Sequence, residues 1–129
     1  MAQREIRIQH ILYDADDLRQ LFEWIDQGVV LRPSFLSILW VLGRYSSDGN
    51  SDPVELDQIE ATLQALGSAK PEQVMICAFG LGQILCLVNA ARRGWDCRVG
   101  FENGWWKQDG SIAQDNADLL RDLCDQLDQ

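Results

Sequence analysis

The sequence is short of basic residues and of histidine, and it has no long apolar segment. Eleven Lys and Arg stand against twenty Asp and Glu in 129 residues, a formal net charge of −9. Without a basic stripe a chain cannot neutralise a row of phosphates, which argues against nucleic acid and against an anionic membrane surface as partners. The apolar runs are too short to cross a bilayer, and the polar start does not form a signal segment. These absences predict a cytoplasmic protein.

The single histidine and the four cysteines disfavour several common kinds of site. His10 falls on an apolar strand face, so it is expected to be a core or edge residue rather than a ligand or general base. No two cysteines form a C-x-x-C pair, which disfavours a zinc knuckle or a redox motif. All lie in apolar runs, where a free cysteine behaves as a small core residue: they are Cys77, Cys86, Cys97 and Cys124.

Apolar spacing alternates four times between a strand pattern and a helix pattern. Strands are predicted at 6–13, 35–42, 74–79 and 97–101, and helices at 16–26, 53–66, 84–91 and 115–127. Alternation at this spacing favours right-handed β-α-β crossovers and a parallel sheet. The prediction is one α/β domain over residues 1–129, built from four β/α units. The pattern leaves open whether the sheet is doubly wound or is half of a (β/α)8 barrel.

The fourth predicted strand carries the clearest candidate site. Its apolar residues alternate with Arg98, Gly100 and Glu102, and period two places these three on one face. Glu102 would then lie at the carboxyl end of a strand, where barrel active sites are built. The alternative interpretation is an ordinary ion pair on a surface strand.

Two neighbouring loops carry further candidates. In the segment Phe79–Gln83, Gly80 and Gly82 join a strand to a helix, where backbone N–H groups can approach an anion; tight packing of strand and helix explains the glycines equally well. Trp105 and Trp106 are adjacent in a loop and expose apolar area unless the domain, a ligand or a partner covers them.

The segment Arg98–Asn103, preceded by Gly94, resembles the R-V-G-[LF]-E-D-N signature of the beta-keto acid cleavage enzymes, the family of the 3-keto-5-aminohexanoate cleavage enzyme. Other pieces of the chain resemble family segments in the same order. They are Tyr13-Asp14, the V-L-G ending at Gly43, the G-x-G-x-x-Q-like turn at Phe79–Gln83, and the stretch from Asp109 through Asp115–Leu119. The likeness spans nearly the whole chain and corresponds to strands 5–8 of the family's barrel.

The resemblance implies a fold, an activity and roles for several residues. The family exchanges acyl groups between a β-keto acid and acetyl-CoA, and it uses zinc held by an H-x-H pair and by the signature glutamate. By resemblance Glu102 is a metal ligand, and Arg98 and the residue at Asn103 are catalytic. Gly80, Gly82 and Trp105 would contact the substrate or CoA.

This sequence departs from the family pattern at three points. It contains no H-x-H pair, Asn103 stands where the signature has aspartate, and Ile11 stands where the family has glutamate. We therefore expect the isolated chain to be inactive and to need no cofactor, with zinc bound only if a partner supplies two histidines. Such a partner would be a subunit carrying the N-terminal half-barrel.

Three hypotheses follow about what the chain does. It is half of a split or truncated acyl-transferring enzyme, or a non-catalytic half-barrel that binds a small ligand and self-associates, or an open-sheet ligand binder with a similar fold. Half a barrel would leave two strand edges unpaired and an apolar face uncovered, which predicts a homodimer that closes an eight-stranded barrel.

Overall fold

The computed structural model describes residues 6–129, which form an α/β domain with one sheet of four parallel strands. The strands are β1 (Gln9–Leu12), β2 (Ser37–Leu42), β3 (Gln73–Ala78) and β4 (Asp96–Arg98). Their order in the sheet is their order in the chain, so each β/α unit lies beside the previous one. The prediction of four consecutive β/α units is confirmed. Residues 1–5 of the predicted domain lie outside the described residues.

Within the described residues one α-helix follows each strand. The helices are α1 (Ala15–Asp26), α2 (Val54–Ala65), α3 (Gln83–Arg92) and α4 (Asn116–Leu127), and short 3-10 turns cover Gly67–Ala69 and Gly80–Gly82. The predicted strands were too long at both ends of the sheet, because β1 covers four residues and β4 only three. The fourth run stops early because a turn begins at Gly100, where the amides of Asn103 and Gly104 both donate to its carbonyl.

All four helices pack on one face of the sheet. On β2 the residues Ile38, Trp40 and Leu42 belong to the main core, because period two sends them to the same side. Each helix contributes an apolar stripe to this same core, for example Leu18 and Leu21 from α1. Helices on one side only are typical of a barrel segment, whereas a doubly wound sheet has them on both. Closure into a barrel stays a prediction.

The other face of the sheet carries a smaller apolar cluster made only of strand and loop residues within 6–129. Leu39, Val41 and Cys77 are buried there, with Met75 and Phe79 packed against them. The segment 35–42, which contains β2, is apolar on both sides. One side packs against the helix core, and the other side belongs to this second cluster.

A row of polar side chains crosses this second face at the amino-terminal end of the strands. Gln9 Nε2 donates to Ser37 Oγ at 3.3 Å, Ser37 Oγ donates to Gln73 Oε1 at 2.7 Å, and Gln73 Nε2 donates to Asp96 Oδ2 at 2.7 Å. The row, which we call the polar ladder, joins all four strands from one edge of the sheet to the other.

Capping carboxylates fix where two helices begin. Asp14 and Asp115 have extended backbones, and each side chain accepts from an amide in the first turn of α1 or α4. Asp115 Oδ1 accepts from Asp118 N at 2.7 Å. Asp14 belongs to the Tyr13-Asp14 pair of the family resemblance, and its observed contact is this cap.

Removing the cap of α4 should destabilise the domain measurably. Asp115→Ala leaves an amide of the first turn without its acceptor, so we expect the free energy of unfolding to fall by about 1 kcal/mol. Urea denaturation at one fixed protein concentration measures this. Asp125→Ala, an exposed carboxylate on the same helix, is the matched control, and an equal loss in both variants would contradict the capping role.

Candidate functional site

The loops that follow β2, β3 and β4 enclose a cleft of about 310 Å³ at the carboxyl ends of the strands. Polar groups that follow neighbouring parallel strands meet at this edge, where ligands of α/β proteins bind. Four of the six site residues predicted from the sequence line the cleft: Gly80, Glu102, Asn103 and Trp105. The loop after β2 contributes the remaining wall with Asp48, Gly49 and Asn50.

Arg98 and Glu102 form an ion pair beside the cleft. Arg98 is the last residue of β4 and lies opposite Cys77 in the sheet register, on the face away from the helices. Glu102 lies in the turn, four residues on, so the prediction that strand alternation aligns the two was wrong. The turn that ends β4 brings them together instead. Both side chains are largely exposed, and such a pair contributes little to stability.

Asn103 is the most enclosed polar residue of the cleft, with 4% of its surface exposed. Its backbone N–H donates to Gly100 O, its carbonyl accepts from Gly80 N at 2.7 Å, and its Nδ2 donates to Cys77 Sγ at 2.8 Å. Its Oδ1 has no hydrogen-bond partner in residues 6–129. A buried oxygen without a donor is costly, so Asn103, which lines the cleft, carries one vacant acceptor.

The two glycines after β3 pack tightly against the loop after β2. Gly80 has a φ of 82°, and a Cβ there would overlap Gly49 and Asn50. The next amide, Leu81 N, donates to Asn50 Oδ1 at 2.9 Å. A Cβ at Gly82 would overlap the carbonyl of Ser51, and Gly82 lies outside the lining of the cleft. These contacts support the packing interpretation of both glycines, and their contact with a ligand stays a prediction.

Gln83 holds the turn after β4 against the start of α3. The side chain is fully buried, its Nε2 donates to Gly104 O at 3.0 Å, and its Oε1 accepts from Gly100 N at 3.1 Å. From the sequence, Gln83 is only the last residue of a family-like turn, and no role was predicted for it. A glutamine at the first position of an apolar helix was the available signal, because a buried amide needs polar partners.

The two tryptophans form a wall at the rim. Their rings stack with centroids 6.0 Å apart, and Trp105 remains 54% exposed. Trp106 is half-buried and forms an isolated bridge with Ile112. The loop therefore covers Trp106 in part and leaves the ring of Trp105 open beside the cleft.

The thiol near the cleft is not an activated nucleophile. Burial raises the pKa of Cys77, an effect that the nearby Arg98 charge opposes and the Glu102 charge reinforces. Burial also raises the pKa of Cys86 and of Cys97 to about 11. Thiols with raised pKa values stay protonated at neutral pH, and they are therefore poor nucleophiles and poor metal ligands.

His10 lies away from the cleft, on the edge strand β1. It is half-buried and lines a groove beside β1 with residues of the segment 29–33. Burial lowers its pKa, so the ring is neutral at pH 7. A wider cavity of about 630 Å³ opens at the opposite, amino-terminal end of the strands, around Arg93 and Trp95. We assign the candidate site to the smaller cleft because the signature residues and the vacant acceptor lie there.

The fold and the cleft define an α/β domain whose polar residues gather where its parallel strands end. The chain belongs to the beta-keto acid cleavage enzyme family, whose model matches residues 1–129. Among curated proteins, none matches the chain. No helix within residues 6–129 is long and apolar enough to cross a membrane.

The donor set of this chain does not fit a zinc ion of the kind that the family implies. Residues 6–129 contain no group of three His, Cys, Asp or Glu placed to share a metal. Glu102 is already paired with Arg98, and His10 lines a different groove. A catalytic zinc takes three protein ligands, so the described residues supply at most one of them.

Replacing Gln83 should loosen the turn that carries the signature. Gln83→Leu keeps the size of the side chain but leaves Gly100 N–H and Gly104 C=O without partners, so the free energy of unfolding should fall by about 2–3 kcal/mol. Hydrogen exchange should accelerate at the amide of Gly100. Gln64→Leu on the exposed surface of α2 is the control. If hydrogen exchange at the Gly100 amide is unchanged in Gln83→Leu, Gln83 does not hold this turn in place.

Proposed function

We propose that this chain carries the arginine–glutamate part of a site at which a β-keto acid and acetyl-CoA exchange acyl groups, and that it does not turn over alone. The observation behind the proposal is the Arg98–Glu102 pair at the carboxyl ends of the parallel strands, in a member of the beta-keto acid cleavage family. Strand ends are where this class of fold places catalytic side chains.

Arg98 is suited to hold an anionic oxygen of the substrate. Its side chain is 43% exposed, and its contact with Glu102 uses one terminal nitrogen, Nη2. A guanidinium has five N–H donors in a planar fork that matches a carboxylate or an enolate oxygen. The ligand would lie between Arg98 and the stacked tryptophans, whose exposed ring offers apolar contact for the rest of the molecule.

Glu102 would be the single protein ligand that this chain brings to a shared metal. Because the described residues lack the other ligands, two histidines from outside residues 6–129 would have to complete the site. Asn103 is a further reason to expect no turnover alone, since an amide cannot take up a proton as the aspartate of the family signature can.

A second candidate is a non-catalytic domain that binds a small ligand in the cleft. The vacant acceptor Asn103 Oδ1 favours it, because a hydroxyl or N–H of a ligand would satisfy this buried oxygen. Asp48 adds charge at the rim: hydrogen bonds from the backbone and side chain of Asn50 and from Ser46 lower its pKa, and it stays ionised at pH 7. In this candidate Arg98 and Glu102 orient the ligand and no bond is broken.

Zinc binding by the isolated chain should be weak. One exposed carboxylate gives little affinity, so equilibrium dialysis against micromolar zinc should leave the protein well below one ion per chain. Glu102→Gln should not change the result. One tightly bound zinc per chain, lost in Glu102→Gln, would overturn the proposed incompleteness of the site.

The isolated chain should not cleave β-keto acids in the presence of acetyl-CoA. A coupled assay for the new acyl-CoA should give the same background rate for the wild type and for Glu102→Gln. Adding a polypeptide that carries an H-x-H pair and completes the barrel should produce turnover, and Arg98→Lys should reduce it because an ammonium cannot form the same fork. Turnover by the wild type alone would contradict this proposal, and none in the mixture would favour the binding domain.

A further inference from the structure

Both outer strands of the sheet have an open edge. Within residues 6–129, β1 pairs only with β2 and β4 pairs only with β3. An edge strand presents unpaired N–H and C=O groups that another strand can bind. The two open edges lie on opposite sides of one parallel sheet. The unpaired backbone groups of β4 in one chain could therefore form parallel hydrogen bonds with those of β1 in another chain.

The polar ladder ends differently at the two edges. At the β4 edge it ends on Asp96, whose carboxylate only accepts hydrogen bonds. At the β1 edge it ends on Gln9, whose Nε2 donates to Ser37 Oγ at 3.3 Å and makes a longer contact of 3.9 Å with Met75 Sδ. A thioether sulfur is a weak acceptor, so the carboxylate of Asp96 from another chain could take over this second N–H of Gln9. Joining the two residues at both edges would connect two ladders into one ring.

The charges near the two edges are also complementary. Arg7 precedes β1 and is exposed, with its guanidinium 4.6 Å from the centroid of the Phe35 ring. Asp96 begins β4 and is exposed. Arg7 of one copy and Asp96 of the next would attract, and this local attraction opposes the repulsion between two chains of net charge −9.

Apolar side chains flank both open edges on the helix side. Beside β1 a groove of about 390 Å³ is lined by Ile8, Val29 and Leu31, all exposed. On α4, which follows β4 in the chain and packs against α3, the exposed residues Leu120, Cys124 and Leu127 form a stripe at i, i+4 and i+7. Stripes of this kind pack against a neighbouring β/α unit.

We infer that the occupant of both edges is a second copy of this chain, related by a two-fold axis along the strands. β4 of each copy then lies parallel to β1 of the other, which closes eight strands and removes every edge. The two clefts open at one end of the assembly, so each faces the Arg98–Glu102 pair of the other copy. The inference does not rest on the acyl-exchange chemistry, and a histidine-bearing partner would compete for the same edges.

A charge-swap experiment tests the predicted pairing of Asp96 with Gln9. Light scattering at low micromolar concentration should give the wild type twice the mass of the chain. In a dimer of Asp96→Arg, the new arginine would lie near Arg7 of the other copy, and the two positive charges would repel. In a dimer of Gln9→Glu, the new glutamate would lie near Asp96 of the other copy, and the two negative charges would repel. Each variant alone should therefore dimerise about tenfold or more weakly than the wild type. Mixed together they should form a heterodimer, because one junction then joins the introduced arginine to the introduced glutamate and the other junction is native.

Matched controls place the same two introduced residues on the central helices. Leu85→Arg on α3 and Gln58→Glu on α2 are both exposed and lie away from the edges, so each should remain dimeric. Circular dichroism on all variants checks that they are folded. A folded wild-type monomer, or edge variants that fail to form the heterodimer, would overturn the inference, as would dissociation in the controls. A monomer that gains mass only with a histidine-bearing polypeptide would overturn it while leaving the proposed function intact.

Discussion

The placement of all four helices on one face of the parallel sheet is the constraint on which the rest of the structure depends. It follows from period two in the strands: alternate residues such as Ile38 and Trp40 meet the helices, while Leu39 and Val41 point the other way. The second face is therefore apolar without a helix over it in the described residues. The polar ladder and the second apolar side of β2 lie on this face.

The cleft depends on contacts between backbone groups more than on its charged pair. The bond from Gly80 N to Asn103 O joins the turn after β3 to the turn after β4, and Gln83 ties the second turn to α3. Gly80 can make this approach because it lacks a Cβ and has a positive φ. Arg98 and Glu102 are exposed side chains on a frame that buried hydrogen bonds hold in place.

Local sequence patterns predicted the four β/α units and most of the cleft, because strand and helix periods and glycine positions act over short distances. They failed for Glu102, which alternation placed on a strand, because hydrogen bonds to Gly100 from residues further along end that strand early. The ladder from Gln9 to Asp96 could not be predicted, since it depends on the register of four strands that are distant in sequence. Gln83 was missed for the same reason: its partners lie 17 and 21 residues away.

At Asn103 the chain has an amide where the family signature has a carboxylate, in a turn that backbone hydrogen bonds hold in place. The side chain is buried against Cys77 and next to Glu102 in sequence, so a carboxylate there would lose solvation and meet a like charge, and both effects raise its pKa. The amide avoids the desolvation of a charge and keeps a hydrogen bond to Cys77, but it leaves Oδ1 without a donor. The contacts that join Asn103 to Gly80 and Gly100 run through its backbone, so the turn and the cleft do not depend on whether this side chain is an amide or a carboxylate.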